Sequence, residues 1–99
     1  MEGLKFSWDA RKAAANLTKH RVSFEEAKTV FFDEHARLIP DPEHSEVEDR
    51  FILLGYSVRL RLLVVCHSYR EREERIRIIS ARKATKPEQR QYESLHHEN

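Results

Sequence analysis

The chain has 99 residues, of which 35% are charged and 39% hydrophobic, with a net charge of +1. That length makes one small domain, 1–99, with a thin core under a heavily charged surface and no room for a second domain. The longest apolar run, residues 62–66, is far too short to span a bilayer, and residues 1–12 hold no run resembling a signal peptide.

Cys66 is the single cysteine. It has no partner for an internal disulfide, which points to a reducing cytoplasm, and its apolar strand marks it as a core residue rather than a nucleophile. The near-neutral total hides an asymmetry. Residues 1–49 carry 7 Lys/Arg against 11 Asp/Glu, residues 50–90 carry 11 against 4, and residues 91–99 add −2. A basic excess concentrated in the later strands points to a surface that faces a polyanion. A uniform mixture of the same charges would read as a solvated sheet.

Taken in order, residues 4–8 alternate, with Leu4, Phe6 and Trp8 on one parity, and predict a short strand with one buried face. Asp9 is an N-cap for a helix over residues 10–20, whose apolar stripe is Ala10, Ala13, Ala14 and Leu17, with Lys12, Asn16 and Lys19 on other faces. Arg21 stands where a left-handed residue, usually Gly or Asn, ends a helix, and so predicts mild strain or a different turn. Ser23 and Glu26 make a capping box for a second helix with a stripe of Phe24, Ala27, Val30 and Phe31. The short link packs the two helices as a hairpin on one sheet face. Residues 36–40 read as a brief strand stopped by Pro40. Residues 41–49, DPEHSEVED, are an acidic loop in which His44 has no second histidine at ligand spacing.

Residues 50–57 and 61–69 predict two long strands joined at 57–60, which sets Arg59 and Arg61 beside a hairpin tip. A charged connection, 70–74, leads to a strand over 75–82, and three strands with short links imply an antiparallel meander. In the last strand Ile76, Ile78, Ser80 and Arg82 share one parity and Arg77, Ile79 and Ala81 the other. Neither set is purely apolar, so the sheet is expected to be covered on one side and partly open on the other. Thr85 and Glu88 cap a final helix over 85–95, with Pro87 tolerated in its first turn and 96–99 a frayed tail. The fold class is α+β, in the order β-α-α-β-β-β-β-α, with two N-terminal helices and a C-terminal helix on an antiparallel sheet. Two glycines exclude a glycine-rich phosphate loop, and the absence of a Cys/His zinc pattern leaves no metal or cofactor expected.

RNA cleavage suits such a surface. The 2′-hydroxyl of the substrate attacks the adjacent phosphate, so the protein supplies orientation, charge stabilisation and proton transfer but no nucleophile. Arginine forks suit the phosphate and histidine the protons. The candidates for catalysis are Arg61, His67, Arg77, Arg82 and Lys83, with Arg59, Lys86, Arg90 and Tyr92 as RNA contacts. His67 shares its parity with Leu63 and Val65 and reads equally well as a satisfied core histidine. Tyr92 reads equally well as a packing residue between helix and sheet.

Several segments in this order resemble the BrnT family of bacterial type II toxins. They are Phe6-Ser7-Trp8-Asp9, Lys12-Ala13-Ala14-Ala15-Asn16-Leu17, Lys19-His20 and Val22-Ser23-Phe24-Glu25-Glu26-Ala27. The resemblance continues through Arg50-Phe51, Leu62-Leu63-Val64-Val65, His67, the run from Arg75-Ile76-Arg77 to Ala84-Thr85, and Tyr92-Glu93. It implies a fold similar to the RelE/ParE toxins and a metal-independent endoribonuclease that halts translation. It also implies a BrnA-like ribbon-helix-helix antitoxin as partner, with operator DNA reached indirectly through that antitoxin and the operon repressed by the complex. The family usually has glycine where this chain has Arg21. Two other readings compete: a non-catalytic module that binds RNA or a partner through the same basic face, and a detoxified corepressor of the antitoxin.

Overall fold

The computed structural model describes residues 4–41, 50–70, 72 and 74–96. β1 (Lys5–Ser7) is followed by α1 (Ala10–His20), α2 (Phe24–Thr29) and a 3₁₀ turn (Val30–Phe32). Then come β2 (Arg37–Pro40), β3 (Arg50–Tyr56), β4 (Leu62–Arg70), β5 (Arg75–Lys83) and α3 (Lys86–His96). The α+β order is the expected one. His44 and most of its acidic loop, and the tail from 97 on, lie outside the described residues. The strands form one sheet in the order β1-β5-β4-β3-β2. β2 to β5 make the antiparallel meander, whereas β1 pairs with β5 in parallel, so the sheet is mixed rather than wholly antiparallel. A parallel neighbour needs a long crossover, and here the whole intervening chain provides it.

The Asp9 carboxylate accepts from the N–H groups of Arg11 and Lys12 at 2.8 and 3.0 Å, which starts α1 as expected. Arg21 ends it in the left-handed region, φ 59° and ψ 32°, with its N–H on the Leu17 carbonyl. A residue with a Cβ loses roughly 1–2 kcal/mol in that conformation. The inward face of α1 differs from the apolar stripe. Leu17 is 49% exposed, and Asn16 is buried. Asn16 Oδ1 accepts the Ala81 N–H at 3.1 Å, and Nδ2 donates to the carbonyls of Ala81 and Val22 at 2.8 and 2.9 Å. β1 pairs only as far as Arg77, so the edge of β5 at Ala81 has no neighbouring strand, and the Asn16 amide takes its place.

On one face of the sheet, Val22, Phe24, Ala27 and Val30 pack against Leu53, Leu63, Val65, Ile78 and Ala81. Fully buried side chains such as Phe24 and Leu63 contribute about 1.5–3 kcal/mol each. On the other face α3 lays Tyr92 over Leu54 and Val64. Thr85 and Glu88 close a complete capping box at the start of α3, Thr85 N–H to Glu88 Oε1 at 2.8 Å and Glu88 N–H to Thr85 Oγ1 at 3.3 Å. The box predicted at α2 is only half formed: Ser23 Oγ accepts the Glu26 N–H, but the Glu26 carboxylate turns away to Arg61.

A second side chain substitutes for a strand at the β3 edge. Asp33 Oδ2 accepts both the Tyr56 N–H and the Tyr92 hydroxyl at 2.8 Å, and Oδ1 accepts the His35 N–H at 2.9 Å. Gly55 permits this approach, because a Cβ there would stand 2.9 Å from Ala36 Cβ and 3.0 Å from Asp33 Oδ2.

Candidate functional site

Residues directly opposite in an antiparallel pair point to the same face. His67 pairs with Ile78 while Cys66 pairs with Ser80, so Ile79 is an extra residue, a β-bulge in β5. Simple alternation puts Arg77 and Arg82 on opposite faces; the bulge reverses the phase and puts them on one. Ile76, Ile78 and Ala81 are buried toward α1 and α2. Arg77, opposite Ser68, and Arg82, opposite Val64, share the α3 side with Arg50 and with the Arg70–Arg75 pair. Lys5, beside Arg75 in the parallel register, joins them. α3 covers only the Leu54 and Val64 end of this face. Among the described residues, no helix covers the rest of this face, which is lined by cations.

The expected site residues fall into three places. Arg77 is exposed on the open face, and its charge helps to hold the Asp9 carboxyl below the usual range, after the two backbone N–H bonds that Asp9 accepts. Arg82 lies at the edge of α3, where its Nη1 and Nη2 donate to the two oxygens of Glu88 at 2.8 and 2.9 Å. Mainly through that guanidinium, Glu88 is pulled down to about 2 and is ionised at every physiological pH.

Arg61 and Lys83 stand at the opposite end, around a shallow depression with Tyr56, Leu60 and Gln89. Arg61 forks onto Glu26, with Nε to Oε2 at 2.9 Å and Nη2 to Oε1, and a further bond from Nη2 to the Arg21 carbonyl at 3.0 Å. Glu26 Oε2 also accepts the Ser57 hydroxyl at 2.7 Å. The Arg61 bond, more than the Ser57 bond, keeps the Glu26 carboxyl low against the opposing effect of burial. One arginine thus ties the β3–β4 tip to α2 and to the strained end of α1. Arg59 is exposed at the same tip, and Lys86 and Arg90 are exposed on α3.

His67 lies on the helix-covered side, 3% exposed, edge-on to Phe31 at 4.8 Å between ring centres. Burial pushes its pKa down, the bond to the Val65 carbonyl opposing only in part. A carbonyl accepts and cannot donate, so the 3.2 Å contact from Nδ1 fixes the proton there and leaves Nε2 as an acceptor. The imidazole borders an apolar cavity of about 370 Å³ that also meets Phe51, Leu38, Tyr69 and Ile76. Tyr92 is buried; its ring packs edge-on against Tyr56 at 5.3 Å and its hydroxyl is held by Asp33, so the pKa of that hydroxyl rises. Burial pushes the Cys66 thiol up to about 11, well away from a thiolate nucleophile.

Sequence reasoning did not single out Arg50, Arg70 and Arg75 on the open face, nor Glu26 and Glu88 as arginine partners. The charge excess over 50–90 was the available signal for the arginines. For Glu88 the capping box was a partial one. Among the described residues no three His, Cys, Asp or Glu side chains gather as a metal site requires. No helix among them is long and apolar enough to cross a membrane.

Residues 8–88 match the sequence model of a family described as the ribonuclease toxin BrnT of type II toxin-antitoxin systems. The crystal structure of the ribonuclease toxin BrnT from Brucella abortus superposes with a TM-score of 0.65, covering 84% of this chain and 99% of that one at 24% identity. At that identity the likeness speaks for the fold. No curated protein matches the sequence.

Proposed function

The chain belongs to the BrnT family of ribonuclease toxins from type II toxin–antitoxin systems, and we propose that it cleaves RNA on the open cationic face, without metal, through the 2′-hydroxyl of the substrate. The observation that carries this reading is the bulge at Ile79, which gathers Arg77 and Arg82 with Arg50 on a surface that the helices leave uncovered. The backbone of single-stranded RNA runs along these cations. Arg77 and Arg82 receive the scissile phosphate, since a guanidinium fork matches the paired oxygens of a phosphorane and stabilises the charge that develops there. The 2′-oxygen bonds to phosphorus, the bond to the 5′-oxygen breaks, and the products are a 2′,3′-cyclic phosphate and a 5′-hydroxyl. Solvent takes the proton that leaves the 2′-hydroxyl and supplies the one that reaches the departing 5′-oxygen. A nucleophile supplied by the substrate removes the need for metal-bound hydroxide.

Arg61 and His67 have other roles in this proposal. Arg61 holds the β3–β4 tip, and His67 fills the covered side as a neutral imidazole. Lys83, Lys86, Arg59 and Arg90 extend the backbone contacts at the α3 end, and Tyr92 anchors α3 so that Arg82 and Glu88 stay in register. The membership implies a cognate antitoxin. We take it to be a BrnA-like ribbon-helix-helix protein that covers the toxin in the cytoplasm and carries the complex to its own operator.

The test is incubation of the purified chain with RNA in the presence and absence of a chelator, followed by end-mapping. Cleavage that survives chelation and leaves cyclic phosphate ends is expected. RNA that is bound in a salt-dependent manner but left intact would instead make the open face a binding module.

A further inference from the structure

Where α3 meets the open face, a cleft of about 240 Å³ lies between the helix and strands β2 to β4. Its floor is apolar, made by Ile39, Ile52 and Val64. Its rim is polar: Asp41, Gln91 and the Arg82–Glu88 pair. The volume is below the ~300–1,000 Å³ usual for cofactors and drug-sized ligands and suits a single flat ring system. The rim carries two carboxylates and one guanidinium, a net negative charge. Inside the cleft these carboxylates disfavour a phosphate, which is left to the exposed side of Arg82, and favour an uncharged group that brings N–H donors.

Asp41 defines the chemistry more closely. It is 5% exposed, and the Cys66 thiol donates to its Oδ2 at 3.5 Å, so the carboxylate acts as an acceptor at the wall of the cleft. A carboxylate has about four acceptor positions, and a donor on a ligand competes for them with the donors of the protein. The Gln91 amide offers both a donor and an acceptor from α3.

We propose that this cleft is a base-recognition pocket, which takes one nucleobase bearing an exocyclic amino group and disfavours uracil. The base stacks its face on Ile52 and Val64 and turns its amino edge to Asp41 and Gln91. Single-stranded RNA is read in this manner, by splaying a base from the strand and meeting its edge with side-chain acceptors. The amino groups of cytosine, adenine and guanine satisfy a carboxylate, whereas the O4 of uracil opposes it. Ile52 on the cleft floor and Arg50 stand two residues apart on one face of β3, with Arg77 in the row of Arg50 across Ser68, so one nucleotide can place its phosphate on the cations and its base in the cleft. This assignment rests on the ribonuclease reading of that face.

The experiment compares cleavage of synthetic single-stranded oligoribonucleotides varied one position at a time, using the full chain and its Gln91→Ala and Asp41→Asn variants. The native chain is expected to cut about tenfold faster when one position next to the cut carries an amino-bearing base rather than uracil, the worth of one charge-assisted hydrogen bond. Both variants are expected to bring that ratio close to one. Gln91 is exposed, so its variant keeps the test valid where Asp41→Asn fails to fold. A preference that is absent in the native chain, or unchanged in the folded variants, overturns the pocket. Binding of the same oligonucleotides with a 2′-deoxy sugar at the cut separates the two readings. Base-selective binding without cleavage of the ribose forms brings down the ribonuclease reading and keeps the pocket, and cleavage without base selectivity does the reverse.

Discussion

Two arginine–carboxylate forks have nearly the same local chemistry and stand in opposite surroundings. In the Arg61–Glu26 pair the side chains are 25% and 4% exposed; in the Arg82–Glu88 pair they are 41% and 28% exposed. Glu26 also accepts from Ser57, and Arg61 also donates to the Arg21 carbonyl, so the first fork is closed on every side by the fold. The second sits at the rim of a cleft on an open cationic surface. Arginine at a given point of a strand therefore does not announce its role. The number of protein groups that already hold the fork does, and a substrate phosphate competes far better for the exposed one.

The strongest way to break this contrast is Arg82→Ala. Removal of a charge-stabilising donor costs about 10²–10³ in rate, while an exposed ion pair contributes only ~0–1 kcal/mol to folding. Initial cleavage rates should collapse while the thermal midpoint moves by a few degrees; full activity in this variant would falsify the role of Arg82. Glu26→Ala should show the reverse balance. It leaves the Arg61 guanidinium and the Ser57 hydroxyl without their acceptor, and a loss of about 2–4 kcal/mol is expected in urea unfolding. A variant as stable as the native chain would show that the first fork is not structural.

The covered side can be tested through pH. His67 has a folded pKa below its ordinary 6.5, so the unfolded chain binds the proton first. Its contribution is present above 6.5 and is lost as pH falls below it, by up to about 1.4 kcal/mol per pH unit. His67→Gln should flatten the stability profile in that window. Glu88 acts in a separate window: with its pKa lowered to about 2, its contribution is present above the ordinary 4.5 and is lost between 4.5 and about 2. The smallest effect is read in binding: beside a loss of cleavage rate like that of Arg82→Ala, Arg77→Ala should lower the slope of log affinity for single-stranded RNA against log salt by about 0.7, one phosphate contact. An unchanged slope would remove Arg77 from the RNA path.

Much of the fold was legible because its signals are local. Asp9, Ser23 and Thr85 each stand at the start of a helix and accept an orphan N–H, and α1 runs over the expected residues. What sequence could not show were the partnerships made across the fold. Asn16 looked like a surface residue because polar side chains on a helix usually are, and only the missing strand beside Ala81 calls it inward. Half the capping box at α2 was lost because Glu26 had a stronger partner 35 residues away. The cationic character of β5 was visible in composition, yet alternation alone separated Arg77 from Arg82. A doublet such as Ile78–Ile79 is compatible with regular pairing, and the displaced pairing of Cys66 and His67 is what reveals the bulge.

That single unpaired residue also limits how β5 can change over generations. Loss of Ile79 would leave Ile78 opposite His67 and Ser80 opposite Cys66 as consecutive residues, so plain alternation would keep Arg77 and Arg82 on one face and Ile78 and Ala81 on the other. The strand can therefore lose one residue at this point and keep its cationic face, whereas a one-codon deletion at Arg77 would draw Ile79 into the pairing and turn Ile78 to the cationic side.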